Sequence, residues 1–341
     1  MALLSADETL FRDIEVFDPD YMPEQFTHRN AQLSALAGCI KTALRGSRPV
    51  NALLVGPPAT GKTTSIKITL QQLEEHSKRV VAVYVNCSIM PSAFRIFSEI
   101  HRKVIGYLPS ETGTPLTKIY DVIFGKLQKE KRVLLVALDD IMFPTDVLYS
   151  ILRAHEMYNV QTGIFVAGTK NELHKLDDKT RSIFSPQEIR FPVYTQKEIF
   201  SILADRAVAG LYTRVISDML VNKIAEAASE KDLRFAIELL KQTALEAEKD
   251  GARKITDAHL SQTLGKMTGA KEIDLSSSEK ELLDMIGGET MKSGQLFGIF
   301  NEKTKASYST FYRLLDRLEK LGAIKTIDVE KGGKTRLISR S

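Results

Sequence analysis

The sequence predicts an α/β protein with a mostly parallel sheet, followed by a part that contains only helices and by a small C-terminal part. Five short apolar runs have the length of buried strands, and longer segments with helical spacing separate them. From Thr195 to about Met267 only helical periodicity remains, and the polar stretch 269–278 after it is typical of a linker. The predicted strands are Asn51–Val55, Val80–Asn86, Val133–Leu138, Gly163–Ala167 and Glu188–Phe191.

Length, apolar runs and cysteine spacing limit the class of protein that this chain can be. The chain has 341 residues, of which 43% are hydrophobic and 26% charged, and it is too long for one compact core. No apolar run approaches the roughly 20 residues of a membrane helix, and the N-terminus lacks the pattern of a signal peptide. Cys39 and Cys87 stand in no disulfide or zinc spacing. We therefore expect a soluble, cytoplasmic protein of two or three domains with no membrane partner.

Positive charge is concentrated at the C-terminal end. Residues 303–341 contain ten Lys and Arg against four Asp and Glu, a surplus of +6, whereas the whole chain carries only +4. A basic end on a nearly neutral body favours contact with a polyanion. A solvated charged surface is the alternative.

A phosphate-binding loop follows the first predicted strand. Residues 51–64 read NALLVGPPATGKTT and match G-x-x-x-x-G-K-[ST] between a strand and a helix, a context that argues against a chance match. Backbone N–H groups of such a loop surround phosphates, Lys62 neutralises them, and the Thr63 hydroxyl holds Mg²⁺. This pattern predicts a site for ATP or ADP with Mg²⁺. The predicted nucleotide contacts are Gly56, Pro57, Pro58, Ala59, Thr60, Gly61, Lys62, Thr63 and Thr64.

Two acids end the third predicted strand. In VLLVALDDI, Asp139 leaves the strand at its carboxyl end, where open parallel sheets bind ligands. We expect Asp139 to hold the magnesium opposite Thr63 and Asp140 to orient the attacking water. A solvated Asp-Asp pair at a strand end is the alternative.

These motifs together resemble an AAA+ ATPase, and more specifically the archaeal replication initiators of the origin-recognition (Orc/Cdc) type. The resemblance implies an α/β P-loop AAA+ base at 1–194, an all-helical lid at 195–268, a linker at 269–277 and a winged-helix domain at 278–341. It implies that the lid arginine Arg234 reaches the γ-phosphate and that Tyr194 and Arg206 contact nucleotide from the lid side. The segments that carry it are Tyr21–Leu33, Leu176–Ile199 and Lys231–Leu240.

The resemblance also implies an arginine finger and has two departures. Arg181 is the candidate finger toward a neighbouring subunit, with a plain salt bridge as the alternative. Most relatives carry Asp-Glu where this chain has Asp139-Asp140, and the first sensor is indistinct at Gly168, with Thr169 and Asn171 nearby. Both departures weaken the case for hydrolysis more than for binding. We expect a slow ATPase that acts mainly as a switch.

The C-terminal part predicts three helices and a β-hairpin that bind DNA. Ser307 is the predicted N-cap and Gly322 the end of the last helix. One face of this helix is apolar, and the other is suited to the major groove. Hairpin residues are suited to phosphates or a minor groove, although a winged helix can instead dock a protein. Predicted core residues are Phe311, Leu314, Leu315, Leu318 and Leu321; predicted DNA contacts are Ser309, Tyr312, Arg313, Arg317, Lys331, Lys334 and Arg336, with Asp316 and Lys320 on the same helix face.

A second DNA contact is implied by the family in the stretch Cys87–Pro109. Its available basic residues are Arg95, Arg102 and Lys103. Its apolar residues are predicted to form core rather than to stack on bases. These apolar residues are Phe94, Ile96, Phe97 and Ile100.

We therefore predict an ATP-regulated initiator that binds origin duplex DNA and helps recruit or load the replicative MCM helicase, with paralogous initiator subunits as further partners. The helicase step is implied by the resemblance alone. An ATP-dependent DNA-binding regulator and a clamp-loader-like motor are the alternatives. The DNA sequence recognised and the oligomeric state do not follow from the sequence.

Overall fold

A computed structural model describes residues 9–110, 113–140, 145–169, 177–267, 277–286, 291–304, 307–320, 324–330 and 334–340. The chain forms two compact units, Met1–Leu260 and Ser261–Ser341. Within the described residues, no helix combines the length and the apolar character needed to cross a membrane.

The first unit is built on a five-stranded sheet in the order β2-β3-β4-β1-β5, in which every neighbouring pair is parallel. This confirms all five predicted strands, with each end within one residue of its prediction. The strands are β1 Ala52–Val55, β2 Val80–Asn86, β3 Val133–Asp139, β4 Thr162–Gly168 and β5 Gln187–Arg190.

Helices cover both faces of this sheet, as a parallel sheet requires. Alternate residues of β2 point to opposite faces, so Val83 joins one core cluster and Ala82 the other. Strand β3 is buried along its whole length. Helices α3 and α4 pack on the Val83 face, and α1 and α2 pack on the Ala82 face. The helices are α1 Asn30–Leu44, α2 Lys62–His76, α3 Ala93–Ile105, α4 Leu116–Glu130, α5 Thr145–Leu152, α6 Ala154–Tyr158 and α7 Asp178–Phe184.

Only helices follow the sheet up to Met267, which confirms the predicted change of pattern. The start of α8 is fixed by a capping box in which Thr195 and Glu198 satisfy each other's backbone N–H groups. Asp232 caps α10 by accepting a 2.9 Å hydrogen bond from the Phe235 N–H. The helices are α8 Gln196–Gly210, α9 Asp218–Ala227, α10 Leu233–Lys249 and α11 Asp257–Met267.

The N-terminal segment 9–21 is attached to these later helices. Phe11 forms a β-bridge with Leu211, and the Arg12 guanidinium donates to the Ala209 carbonyl at 2.6 Å. Lys241 pairs with Asp18 at 2.7 Å. The segment 9–21 therefore contacts α8, the residue that follows it and α10, all of which are distant from it in sequence.

In its described residues, the second unit contains the end of α11, three further helices and a small antiparallel sheet in the order β6-β8-β7. The predicted hairpin is confirmed, since Ile324 pairs with Arg340 and Glu330 with Lys334; its turn, 331–333, lies outside the described residues. The elements are α12 Ser277–Ile286, β6 Met291–Lys292, α13 Ser293–Thr304, α14 Tyr308–Lys320, β7 Ile324–Glu330 and β8 Lys334–Arg340.

The ends of α12 and α14 bear on two of the predictions. Helix α12 begins at Ser277, the last residue of the predicted linker, and the preceding linker residues 269–276 lie outside the described residues, so the linker stays a prediction. The Ser307 hydroxyl accepts from the Thr310 N–H at 3.3 Å, which confirms it as the cap of α14. The predicted core residues Phe311, Leu314, Leu315 and Leu318 are buried together, whereas Leu321 and the predicted helix end Gly322 lie outside the described residues.

Candidate functional site

A cavity of about 1060 Å³ opens in the first unit at the carboxyl ends of the strands. Its wall is formed by the loop after β1, by residues 12–27 near the N-terminus, by the ends of β2, β3 and β4, and by helices α8 and α10. Open parallel sheets bind ligands at this edge. Of the predicted nucleotide contacts, those from Pro58 to Thr64 line this cavity together with Tyr194 and Arg206, whereas Gly56 and Pro57 line a smaller pocket beside it.

Two glycines of the loop are required by the backbone. Gly61 has φ of 89°, in the left-handed region, and a Cβ there would lie 2.8 Å from the Tyr194 hydroxyl. A Cβ on Gly56 would lie 2.3 Å from the Phe191 carbonyl oxygen. The loop thus lies too close to Phe191 and Tyr194, which follow β5, for a side chain at either position. This explains why the motif places glycine at both.

Lys62 is the first residue of α2 and is buried, with 9% of its surface exposed. Its Nζ donates to the carbonyls of Gly56 at 2.8 Å and Pro57 at 2.7 Å. The ammonium therefore lies within the loop, at the N-terminus of a fifteen-residue helix whose dipole favours anions.

Thr63 and Asp139 meet at the floor of the site. The Thr63 Oγ1 donates to Asp139 Oδ2 at 2.6 Å, and the Tyr84 hydroxyl donates to the same oxygen at 2.9 Å. Burial, followed by the charge of Asp139, raises the pKa of Tyr84, so that it remains a donor. Hydroxyl and carboxylate oxygens are the ligands that Mg²⁺ prefers, and a site with few protein oxygens leaves room for phosphate. The residues present fit magnesium.

Asp140 is exposed and lines the cavity. Its φ of 48° is left-handed, and its N–H donates to Asp139 Oδ1 at 3.1 Å. For the first sensor, Gly168 ends β4 and Thr169 lines the cavity, whereas the other substitute, Asn171, lies outside the described residues.

Helices α8 and α10 contribute two arginines to the cavity wall. Arg234 is exposed and forms no ion pair within the described part of the chain. Arg206 lies over the Tyr21 ring, 4.6 Å from its centroid, and donates to the Val16 carbonyl. Burial lowers the pKa of Arg206. Both arginines line the cavity from helices α8 and α10, and their contacts with nucleotide remain predictions.

Arg29 is a residue of this site that the sequence did not indicate. It is 2% exposed, and its guanidinium stacks 3.7 Å from the Tyr194 ring centroid. It also donates to the Thr60 carbonyl of the loop at 2.9 Å. Arg29 lies in Tyr21–Leu33, one of the segments that carry the family resemblance, but nothing in the sequence singled it out within that segment.

Arg181, the candidate finger, is exposed on α7 and lies 3.8 Å from Asp178, one turn away. The salt bridge weighed as the alternative is therefore present. Such an exposed pair contributes little to stability. The finger remains a prediction.

The predicted DNA face of α14 is mostly exposed. Ser309, Arg313 and Arg317 are exposed, whereas Tyr312 is half-buried, with its ring 5.5 Å from that of Phe311. Arg336 on β8 lies 3.6 Å from Asp316 and so joins the hairpin to this face. Among the remaining predicted contacts, Lys334 begins β8 and Lys331 lies outside the described residues.

The stretch after β2 keeps its predicted apolar residues in the core. Ile96, Phe97 and Ile100 are fully buried, and Phe94 packs partly against them. Arg102 pairs with Glu99, and Lys103 pairs with Glu74 at 2.6 Å. Arg95 is exposed and forms no ion pair within the described ranges.

Several known proteins resemble this chain over most of its length. A family model of the Cdc6 AAA+ ATPase-type lid domain matches residues 200–263. The ORC1-type DNA replication protein 2 of Methanothermobacter thermautotrophicus is 44% identical over 98% of this chain and 93% of its own length. The protein of that name from Methanosarcina mazei is 39% identical over 98% and 94%.

A solved structure has the same fold. The Aeropyrum pernix ORC1 protein in complex with DNA superposes with a TM-score of 0.68 at 26% identity, covering 98% of this chain and 94% of that protein.

Proposed function

The chain belongs to the ORC1-type DNA replication proteins, and from this premise we propose that it is an ATP-regulated initiator that binds duplex DNA at replication origins. The observation that carries the proposal is the wall of the 1060 Å³ cavity. The phosphate-binding loop, Asp140 and Arg234 surround one space there. A ligand in that space touches both the sheet and the helical part, so its presence can control how they are held together.

ATP or ADP is the proposed ligand. The amides of the loop and the N-terminus of α2 would receive the phosphates, and Lys62 would exchange its carbonyl partners for phosphate oxygens. Thr63 and Asp139 would hold Mg²⁺, which supplies charge neutralisation between phosphate oxygens. Arg234, an always-charged bidentate donor, would reach the γ-phosphate from α10.

Slow hydrolysis is the second part of the proposal. Asp140 would orient a water molecule, but its side chain is one methylene shorter than the glutamate of most relatives. The water would then be held away from its best position, and misplacement by about 1 Å can reduce a rate roughly a hundredfold. Nucleotide would act mainly as a switch.

DNA binding is assigned to the second unit, which we propose is a winged helix. Helix α14 would enter the major groove with Ser309, Arg313 and Arg317, beside the half-buried Tyr312. Lys331, Lys334 and Arg336 of the hairpin would contact phosphates. The support is the exposed basic face of α14 and the DNA bound by the Aeropyrum pernix ORC1 protein. Recruitment of the MCM helicase, assembly with paralogous subunits and the Arg181 finger are the finer parts of this proposal.

Titration of a fluorescent duplex with the full chain tests DNA binding. We expect an affinity that falls steeply with salt, because phosphate contacts release counterions. Binding that is weak and insensitive to salt would contradict the assignment and favour a protein-docking role for the second unit.

The Asp139-Asp140 pair favours a second candidate, a DNA-binding regulator that no longer starts replication. Mapping the protein along its own chromosome separates the two. Occupancy confined to replication starts supports the initiator, and occupancy spread over promoters supports the regulator.

A further inference from the structure

We propose that Arg29 is a positioning residue for nucleotide, which holds the phosphate-binding loop and the start of the helical part in one arrangement. The proposal rests on the nucleotide binding proposed above and assigns to that site a residue that does not touch the ligand. Thr60 and Gly61 line the cavity, whereas Arg29 is not among the described residues that do.

The guanidinium of Arg29 joins three separate segments through backbone carbonyls. Its Nε donates to Thr60 at 2.9 Å, its Nη1 to His28 at 2.7 Å and its Nη2 to Pro192 at 2.7 Å. Thr60 belongs to the loop, and Pro192 lies between β5 and α8. Only the planar fork of arginine presents several donors in fixed directions, so these contacts specify the residue type.

Local backbone geometry supports this arrangement. His28 has φ of 63°, a left-handed conformation that is uncommon for residues other than glycine, and its carbonyl is one of the three acceptors. Tyr194 covers the guanidinium at 3.7 Å, and its hydroxyl limits the space beside Gly61. Arg29 and Tyr194 thus lie between the loop and the Thr195 cap of α8.

The buried charge of Arg29 is held by carbonyl oxygens, and Glu198 is a carboxylate on which that charge acts. It forms no ion pair in the part of the chain that the structure describes, and only 2% of its surface is exposed. A buried charge is costly unless it is well satisfied. Carbonyl oxygens accept its hydrogen bonds. Against the effect of burial, the hydrogen bonds from Thr195 and then the charge of Arg29 lower the pKa of Glu198, so Arg29 also acts on the cap of α8.

Movement of the loop around phosphates would therefore be transmitted to Pro192 and the start of α8. Arg29→Lys keeps the charge but cannot bond all three carbonyls. We expect it to weaken ATP and ADP binding alike, by about tenfold, because the loop surrounds the phosphates that both share. Arg45→Lys, the same change at the exposed end of α1, is the matched control and should leave both affinities unchanged.

Hydrogen exchange of the full wild-type chain with and without ADP measures the coupling. We expect ADP to protect the amides of Gly61–Thr64 and also those of Tyr194–Glu198, whereas in Arg29→Lys only the first group gains protection. A purely structural arginine would lower the stability of the variant without separating the two responses.

The affinities and the exchange together decide the proposal. If Arg29→Lys binds ATP and ADP as tightly as the wild type does, the proposal is overturned. It is also overturned if ADP does not change the exchange of Tyr194–Glu198 in the wild-type protein, a result that does not depend on the folding of the variant. A wild-type chain that binds no nucleotide would instead overturn the proposed function. Parallel loss of ATP and ADP affinity with uncoupled exchange supports Arg29 as the positioning residue.

Discussion

Thr63 and Asp139, 76 residues apart in the chain, are joined by a 2.6 Å hydrogen bond between Oγ1 and Oδ2. Helix α2 supplies the first side chain and strand β3 the second. This contact brings the two halves of the predicted magnesium site together at the edge of the sheet. It links the phosphate-binding loop to the acids on which our predictions about turnover depend.

Lys62→Ala tests the loop. The change removes a charge-assisted contact worth on the order of 1.5–3 kcal/mol, so we expect ATP binding to weaken at least about tenfold. Titration with a fluorescent ATP analogue measures it, with the exposed Lys41→Ala on α1 as the control. Equal affinities for wild type and Lys62→Ala would remove the basis for the nucleotide site.

Asp140→Glu tests the switch. We expect wild-type turnover well below the usual enzyme range of about 1–10³ s⁻¹. Asp140→Glu should raise turnover and leave ATP affinity nearly unchanged, since the water is not part of the phosphate site. Asp139→Asn should instead weaken magnesium-dependent binding. Single-turnover hydrolysis by the three proteins decides it, and fast wild-type hydrolysis that Asp140→Glu slows would favour the motor alternative.

Arg234→Ala tests the contact that we propose between α10 and the γ-phosphate. Because Arg234 is proposed to contact only the γ-phosphate, its loss should weaken ATP by about tenfold and leave ADP unchanged. Competition titrations with both nucleotides measure the difference. An equal loss for ATP and ADP would place the interaction elsewhere on the nucleotide.

The hairpin and α14 should have different effects on DNA binding. Replacing Lys331, Lys334 and Arg336 together should weaken binding to any duplex and lower the salt slope by up to about 0.9 for each phosphate that is no longer neutralised. Replacing Arg313 should instead change the preference between sequences, because it is proposed to read base edges. Anisotropy titrations at several salt concentrations separate these effects, and a triple variant with unchanged slope would favour protein docking.

Asp232→Ala tests how α10 is held. The aspartate accepts from the Phe235 N–H at 2.9 Å, and losing such a cap costs about 0.5–2 kcal/mol of unfolding free energy. Asp232→Asn keeps the acceptor and should stay close to wild type. Chemical unfolding of the three proteins measures the cost, and equal destabilisation by Ala and Asn would show that the cap is not the cause.

The sequence predicted those features whose signal lies in short, continuous stretches. The five strands are apolar runs, the loop is one motif, and Asp139 follows a buried strand. Arg29 could not be predicted in the same way. Its acceptors at Thr60 and Pro192 stand 31 and 163 residues away in the chain, and they are backbone carbonyls, which leave no trace in residue type.

The attachment of the N-terminal segment was missed for a similar reason. The Phe11–Leu211 bridge and the bond from Arg12 to the Ala209 carbonyl use backbone groups that every residue carries. Side-chain pairs such as Lys241 with Asp18 depend on the folded geometry rather than on spacing. Such contacts follow from the folded arrangement of the helices, which no short stretch of sequence specifies.

The measurement that tests the central claim most directly is the affinity of the full chain for duplex DNA with and without ATP, in wild type and in Lys62→Ala. We predict that ATP changes the DNA affinity of the wild type and has no effect on Lys62→Ala, which retains its nucleotide-free affinity. A wild-type protein that binds ATP yet holds DNA with the same affinity in its presence and absence would contradict the claim that nucleotide regulates this initiator.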